Sequence, residues 1–240
     1  MALSVSADRI GSAPPWEPIP FFQAVYHGST VVFGNYAGLV HPPYDEKWPP
    51  EKTLPGTLTL LDRKFSKQFL LEQSRTFAWG LQPMLANFLP AQLQERPEEI
   101  DFVTRLVRTR MRSLKYLLHG TWLRPPTLDV PQQEIDVAQI GVYTSLKASK
   151  RTYPVALAGA WRASDRHVAI ALASIHDQNL ILRVPIDVVA YDMRQPCAVY
   201  RIDEAGRTQQ GVFDGREPVW QIELPPRGLC VLEFCRDQKE

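Results

Sequence analysis

The hydrophobic period of this sequence changes once, near Pro125-Pro126. Before that point, two apolar and strand-like runs, at 21–33 and 76–82, are each followed by a run with helical spacing. After it, nearly every segment alternates between apolar and polar residues and is bounded by Gly, Pro, Asp or Asn, which is typical of antiparallel strands. Strand-helix units followed by an all-β region predict the end of a (β/α) barrel joined to a β-sandwich.

The predicted fold class is therefore α/β plus all-β, and the change of period predicts two folded units within the 240 residues. We predict an irregular lead-in at 1–20, where prolines cluster. A partial (β/α) barrel, its last two strand-helix units, is predicted at 21–126. A C-terminal antiparallel β-sandwich is predicted at 127–240.

The spacing of apolar residues predicts two helices before the break, at 62–76 and 97–120. The second helix begins at Pro97 with acidic residues in its first turn, and its predicted buried stripe is Ile100, Val103, Val107, Met111, Leu114 and Leu118. After the break, eight strands are predicted, at 137–146, 155–162, 167–175, 179–185, 188–191, 198–202, 219–224 and 229–235.

Charge and composition argue against two classes of partner. The net charge of +1 gives no general attraction to nucleic acid or to a membrane surface, and no apolar run approaches the length of a membrane span. The second helix carries the basic residues Arg105, Arg108, Arg110, Arg112 and Lys115. At helical spacing these spread around an exposed arc, so we interpret them as a solvated polar face and predict no nucleic-acid binding.

Cysteine spacing predicts neither a metal site nor a cofactor. Cys197, Cys230 and Cys235 are an odd number, without CxxC spacing or a nearby pair of histidines. Buried free thiols are the expected state of such cysteines.

Polar and aromatic residues follow both apolar runs, at the strand ends where barrel enzymes carry their chemistry. Tyr26, His27 and Asn35 follow the first run, and Trp79 and Gln82 follow the second. Aromatic faces stack on sugar rings, and His, Asn and Gln side chains form directional hydrogen bonds with hydroxyl groups. We predict that these five residues bind a carbohydrate substrate, although an aromatic residue taken alone is more often part of a core.

Carboxylates are missing from the same positions. Hydrolysis of a glycosidic bond normally needs two carboxyl groups, and neither predicted strand ends at an Asp or Glu. Asp45 and Glu46 lie in a long proline-rich loop, where adjacent carboxylates are usually solvated. The catalytic residues are therefore unassigned.

Five segments resemble the C-terminal part of poorly characterised glycoside-hydrolase-like proteins. They are IPFFQAVYH (19–27), FAWGLQ (77–82), LLHG (117–120), LRPP (123–126) and LPPRGLCVLEF (224–234). The resemblance implies a TIM-type barrel followed by an antiparallel β-sandwich, with 21–26 and 76–82 as the seventh and eighth barrel strands. It also implies that the acid and the nucleophile lie on earlier strands, which precede this chain.

The expected function is that of a C-terminal fragment of a glycoside-hydrolase-like protein, which contributes part of a sugar-binding cleft and is inactive in hydrolysis alone. The expected partners are a carbohydrate and either a second copy of the chain or a chain that supplies the missing barrel half, because open sheet edges leave apolar surface uncovered. The alternative is a non-catalytic β-sandwich module that binds a carbohydrate or a protein.

Overall fold

The computed structural model of the chain describes residues 2–4, 21–34, 39, 60–85, 88–139, 147–193 and 196–236. Within these ranges the helices are α1 (Phe21–Tyr26), α2 (Ser66–Ala78), α3 (Gln92–Glu95), α4 (Pro97–Arg112) and α5 (Leu114–Leu117). The strands are β1 (Ala2–Ser4), β2 (Val31–Phe33), β3 (Thr121–Leu123), β4 (Gln132–Gln139), β5 (Lys147–Pro154), β6 (Ala156–Arg162), β7 (Val168–Ser174), β8 (Leu180–Pro185), β9 (Cys197–Ile202), β10 (Arg207–Phe213), β11 (Val219–Leu224) and β12 (Leu229–Arg236). None of the helices in the described ranges has the length and hydropathy that a membrane span requires.

A six-stranded sheet in the order β10-β9-β12-β7-β6-β3 is the centre of the fold, and all its neighbouring strands are antiparallel. Successive residues of a strand point to opposite faces of a sheet. On β12, Glu233 reaches Tyr116 of α5, whereas Phe234 packs against Trp220 of β11. Helices therefore cover one face, called here the helix side, and the β8-β11 pair covers the other.

Coverage on both faces explains the composition of β7. Every residue of this strand is buried, and all but Ser174 are apolar. A strand covered on one face alternates, as β8 does with its inward Leu180, Leu182 and Val184.

Helix α2 continues farther than the sequence pattern predicted. Phe69 and Phe77 lie on one of its faces and are buried. The helix ends at Gly80, which has φ +66°; the Gly80 amide donates to Phe77 O at 3.1 Å, and the Leu81 amide donates to Thr76 O at 2.9 Å. This pair of bonds is a Schellman C-cap, and it requires a residue that tolerates the left-handed conformation.

Helix α4 buries only part of the predicted stripe, since Ile100 and Val103 pack half-buried against the core. Phe102 and Leu106 are fully buried, while Val107 and Met111 are 39% and 61% exposed. Arg110, which was predicted on the solvated arc, is also buried. The helix stops at Ser113, so the single predicted helix 97–120 is instead α4 and α5 followed by a turn. Apolar residues lie on more than one face of this segment, and α4 packs against α2, α3 and β12, which together decide which of them are buried.

Helices followed by antiparallel sheets confirm the mixed fold class, but both predicted barrel strands are misplaced. Residues 21–26 form α1, and Phe21, Val25 and Tyr26 are exposed, so this segment is not a buried strand. Residues 76–78 complete α2 rather than opening a strand. A short apolar run has no periodicity that separates a strand from a helix, and this ambiguity caused both errors.

Most predicted strands after the break are present with shifted ends. The exception is 188–191, which is a turn in which the Tyr191 amide donates to Asp187 O. The sequence pattern missed β3, β5 and β10, which are short or rich in polar residues. Residues 140–146, predicted as the end of the first strand, lie outside the described ranges, as does the lead-in except for β1.

The largest cluster of buried apolar residues includes side chains from both sides of residue 126. Phe69 and Phe102 of the helices belong to it together with Trp161 and Leu232 of the sheet. Hydrogen bonds also join the two sides, from Trp161 Nε1 to Ala78 O at 3.1 Å and from Tyr116 Oη to Glu233 Oε1 at 2.7 Å. The helices and the sheet thus share one core, and the predicted domain boundaries stay a prediction.

Candidate functional site

His27 lies in the turn between α1 and β2, where sequence reasoning placed a substrate contact. The amides of Ser29 and Thr30 both donate to Tyr26 O, at 2.9 and 3.0 Å, and so close the turn around His27. The His27 side chain points inward: the residue is 9% exposed, and its ring centroid lies 4.5 Å from that of Trp161. Its Nε2 atom is buried and has no hydrogen-bond partner among the described residues.

Burial controls the charge of His27. Loss of hydration lowers its pKa from 6.5 to about 4, and the positive potential of Arg110 and the proximity of His119 act in the same direction. The imidazole is therefore neutral at physiological pH. A neutral ring can donate or accept a hydrogen bond at Nε2, depending on its tautomer.

His27 rests on Trp161, and a second tryptophan packs against that ring. Trp161 of β6 is fully buried, and Trp122 of β3 packs edge-on against it with ring centroids 4.8 Å apart. Trp122 is half-buried, so part of its indole reaches the surface beside α1, which contacts β3. We call His27, Trp122 and Trp161 the His27 site.

Glycines allow the chain to approach Trp161 closely. A Cβ atom on Gly80 would lie 2.7 Å from Trp161 Cζ2 and 2.9 Å from Leu117 O. A Cβ atom on Gly159 would lie 1.8 Å from Ala78 O, the acceptor of the Trp161 indole hydrogen bond. Both contacts are far below ordinary van der Waals separation, so any side chain at these positions would displace the tryptophan or the end of α2.

Arg110 fixes the backbone beneath the site. Its Nε donates to Leu81 O at 3.2 Å, and its Nη2 atom donates to Gly80 O at 3.4 Å and to Leu117 O at 3.5 Å. Burial lowers its pKa, but an arginine keeps its charge at any physiological pH. The guanidinium therefore ties the end of α2 to α5 and supplies the positive potential that acts on His27.

The other predicted site residues have different surroundings. Tyr26 is 44% exposed at the end of α1. Trp79 is buried with Val32, Ala78 and Leu81, so its ring presents little surface. Gln82 is half-buried, and its backbone pairs with β2, through the Gln82 amide to Val32 O at 2.8 Å and the Gly34 amide to Gln82 O at 2.9 Å.

Asn35, Asp45 and Glu46 lie outside the described residues. Sequence reasoning missed Trp122 and Trp161, which lie near and beyond the change of period. A tryptophan on each of two segments that become neighbouring strands was the available signal, but pairing β3 with β6 requires the fold.

A second polar cluster surrounds Glu233 on the helix side of the sheet. Glu233 Oε1 accepts hydrogen bonds from Tyr116 Oη at 2.7 Å and pairs with Lys115 Nζ at 2.9 Å, and Oε2 pairs with Arg207 Nε at 2.5 Å. Arg207 also donates to Cys235 Sγ at 3.2 Å. Burial alone would raise the pKa of this carboxyl, but the hydrogen bonds from Lys115, Tyr116 and Arg207 lower it to about 2.

The cysteines have the states expected of free thiols. Cys197 and Cys230 are buried and Cys235 is half-buried. Burial raises the pKa of Cys230 to about 12, and burial together with Glu233 raises that of Cys235 to about 11.

No protein-family model and no curated protein matches this sequence. Several solved structures are similar to this chain over part of their length. One is a GH27 β-L-arabinopyranosidase from Geobacillus stearothermophilus, which is 10% identical and has a TM-score of 0.41; the match covers 77% of this chain and 33% of that protein. The same enzyme in complex with arabinose matches with 11% identity, 75% of this chain, 33% of that chain and a TM-score of 0.37. α-Galactosidase I from Mortierella vinacea is 8% identical with a TM-score of 0.35, and the match covers 70% of this chain and 35% of that protein.

The chain spans about a third of the length of these proteins. They are glycoside hydrolases, the class that the sequence motifs resemble.

Proposed function

We propose that this chain is the C-terminal part of a glycoside-hydrolase-like carbohydrate-active protein and that the His27 site, with Tyr26 beside it, forms part of a sugar-binding cleft. The observation that carries the proposal is the buried, neutral imidazole of His27, whose Nε2 has no partner among the described residues. An unsatisfied buried polar atom costs about 1 to 3 kcal/mol, which a ligand hydroxyl recovers when it hydrogen-bonds there.

The neighbours of His27 suit a sugar. Tyr26 is exposed, and the half-buried Trp122 offers indole surface next to α1. Aromatic surface paired with a neutral hydrogen-bonding group matches a pyranose or furanose ring, which has an apolar C–H face and a rim of hydroxyls. Asn35 belongs to the proposed set on sequence grounds. Trp79 packs with Val32, and the backbone of Gln82 pairs with β2, so both residues also hold β2 beside the end of α2.

Parallel pairing supports the partial-barrel part of the proposal. β1 pairs with β2 in parallel, and Phe33 at the end of β2 forms a parallel bridge with Gln82. α1 lies between the first two segments in sequence, and α2 lies between the second and the third. Parallel neighbours with a helix in each connection are the repeating unit of a (β/α) barrel.

Glu233 is unsuited to the acid step of glycoside hydrolysis. Its pKa of about 2 keeps it ionised, and its side chain is 3% exposed beneath Tyr116 and Lys115. A general acid must carry a proton at the working pH and reach the leaving oxygen. Sugar binding is therefore proposed for this chain without hydrolysis.

Sugar binding is tested with the full chain on a glycan array, followed by isothermal titration calorimetry of the glycans that bind and of arabinose. His27→Ala should weaken binding by about tenfold or more, because one hydrogen bond to a buried group is lost. Trp122→Ala should weaken it similarly, while His176→Ala and Trp220→Ala are the matched controls on the opposite part of the fold. Binding that is unchanged in both His27→Ala and Trp122→Ala would refute the proposed site and favour the alternative β-sandwich module.

The exposed apolar side chains of α1 support the proposed partner. Phe21, Val25 and Tyr26 are 66%, 52% and 44% exposed on this short helix. Clustered apolar surface of this kind is usually covered by another chain or domain. Size-exclusion chromatography with light scattering should show self-association that Phe21→Ser with Val25→Ser reduces, and a stable wild-type monomer would contradict association between copies.

A further inference from the structure

Three side chains of metal-ligand type meet beside β12. One ring nitrogen of His167, a carboxylate oxygen of Glu233 and Cys235 Sγ all lie within 4.8 Å of one another. Glu233 and Cys235 are two residues apart on the strand and face the same side, and His167 precedes Val168, which pairs with Phe234 between them. Imidazole, carboxylate and thiolate together are a typical donor set for Zn²⁺.

His167 has the surroundings of a metal ligand. Its Nε2 atom is buried and has no hydrogen-bond partner among the described residues. Its Nδ1 atom lies 3.4 Å from Asp165 Oδ2, and Asp165 is itself held by the His167 backbone amide at 3.1 Å. Metal-binding histidines usually have one ring nitrogen oriented by such a carboxylate while the other binds the ion.

Two side-chain cations already lie against this group. Arg207 contacts Glu233 Oε2 at 2.5 Å and Cys235 Sγ at 3.2 Å, and Lys115 contacts the group from the side of Asp165 and His167. The Lys115 ammonium lies 2.9 Å from Glu233 Oε1, 3.3 Å from Asp165 Oδ2 and 3.4 Å from His167 Nδ1. The Lys115 side chain is 44% exposed, whereas that of Glu233 is 3% exposed. The long lysine side chain can therefore move into water at little cost, while the acceptors that surround it stay in place.

We propose that His167, Glu233 and Cys235 bind a thiophilic divalent cation, Zn²⁺ being the best fit, and that Lys115 withdraws when the ion enters. Metal–ligand bonds of about 2.0 to 2.3 Å place tetrahedral ligand atoms about 3.3 to 3.8 Å apart. The three ligand atoms must therefore move about 1 Å closer to one another when the ion binds. The Cys235 thiol loses its proton to solvent as the sulfur–metal bond forms. One thiolate and one carboxylate then balance the charge of the ion, and Asp165 or a water completes the coordination.

The full chain is tested by competitive calorimetry with Zn²⁺ and by optical titration with Co²⁺, whose bond to a thiolate gives a charge-transfer band in the near ultraviolet. Lys115→Met should bind Zn²⁺ about tenfold more tightly than the wild type, because the competing cation is removed. Cys235→Ser should lose the charge-transfer band and bind about tenfold more weakly. Cys197→Ala, which removes a thiol on the neighbouring strand β9, is the matched control and should retain both.

The proposal is wrong if the wild type and Lys115→Met both fail to bind one equivalent of Zn²⁺, or if the charge-transfer band persists in Cys235→Ser. Circular dichroism of Lys115→Met should match that of the wild type, because Lys115 is largely at the surface, so a gain of affinity with an unchanged spectrum keeps the test decisive even where Cys235→Ser unfolds. Spacing rules found no metal site here because two of the ligands come from β12 and the third from the loop that precedes β7, far away in sequence.

Discussion

Acidification from pH 7 to pH 5 should destabilise the folded chain through His27. The pKa of His27 is 6.5 as an ordinary histidine and about 4 in the folded state. At a pH between these two pKa values, His27 binds a proton in the unfolded chain but not in the folded chain. The contribution of neutral, buried His27 to the free energy of unfolding is therefore fully present above pH 6.5, and it is lost as the pH falls toward 4.

The size of this effect follows from the two pKa values. At 1.36 kcal/mol per pH unit, complete loss between pH 6.5 and pH 4 corresponds to at most about 3 kcal/mol, of which about 2 kcal/mol is lost by pH 5. Water that reaches the ring reduces the desolvation, and a discount of about half leaves about 1 kcal/mol at pH 5. That is a substantial fraction of the stability of an ordinary domain.

The measurement is urea unfolding at a series of pH values, for the wild type and for His27→Gln, whose amide does not titrate. Other groups, including the Glu233 cluster, titrate alike in both proteins, so the difference between the two curves isolates His27. The difference in free energy of unfolding between the wild type and His27→Gln should decrease by about 1 kcal/mol from pH 7 to pH 5. Parallel curves would refute the conclusion that burial holds His27 neutral, and His176→Gln controls for the loss of any histidine.

Gly80→Ala should destabilise the chain by about 1 to 3 kcal/mol, because the positive φ and the contact with Trp161 both oppose a side chain; Gly28→Ala, with open space around it, should be near neutral in thermal unfolding. Tyr116→Phe should cost about 1 to 3 kcal/mol in urea, since Glu233 loses a buried donor, and Tyr200→Phe is its matched control. A chain of residues 127–240 alone should show no cooperative unfolding by circular dichroism, because its sheet would lose α2, α4 and α5 from one face. A sharp transition in that chain would instead support an independent sandwich.

The sequence predicted the antiparallel part of the fold well because its strands alternate or are bounded by turns. β11 was predicted with its ends correct, since Trp220, Ile222 and Leu224 alternate with polar residues. The fully buried β7 was also recognised, although only the structure shows that helices cover its second face. Local pattern was sufficient wherever one period dominated.

Prediction failed where two interpretations fitted the same local pattern. Gly80 was placed inside the predicted strand at 76–82, whereas it is the left-handed residue that follows the end of α2. Arg110 was assigned to the solvent-exposed arc because arginines usually lie there. The three backbone carbonyls that accept its hydrogen bonds are 29, 30 and 7 residues away in sequence, so local pattern could not reveal them. His27 was selected because it follows a predicted barrel strand, at the end where such enzymes carry their chemistry. Residues 21–26 form a helix instead, so that reason depended on the wrong secondary structure, and the role of His27 stays a prediction.

The His27 site and the Glu233 cluster lie on one row of the sheet, yet we expect them to act independently. Trp161 pairs with Ala169, and Ala169 pairs with Glu233, so two strand spacings, about 10 Å, separate the ladder positions. The recorded contacts of His27 with Trp161, and of Tyr116 with Glu233, share no residue within the described ranges. At this separation and without common partners, the effects of two mutations on the free energy of unfolding usually add to within about 0.5 kcal/mol.

A double-mutant cycle of His27→Ala and Tyr116→Phe, measured by urea unfolding, tests this independence. Besides the sheet itself, α5 offers a route between the sites, because Tyr116 donates to Glu233 and the adjacent Leu117 carbonyl accepts from Arg110. A coupling energy above about 1 kcal/mol would mean that α5 shifts as a unit and links the sites. Additivity would mean that the small side chain of Ala169 and the sheet beneath α5 separate the proposed sugar site from the proposed metal site.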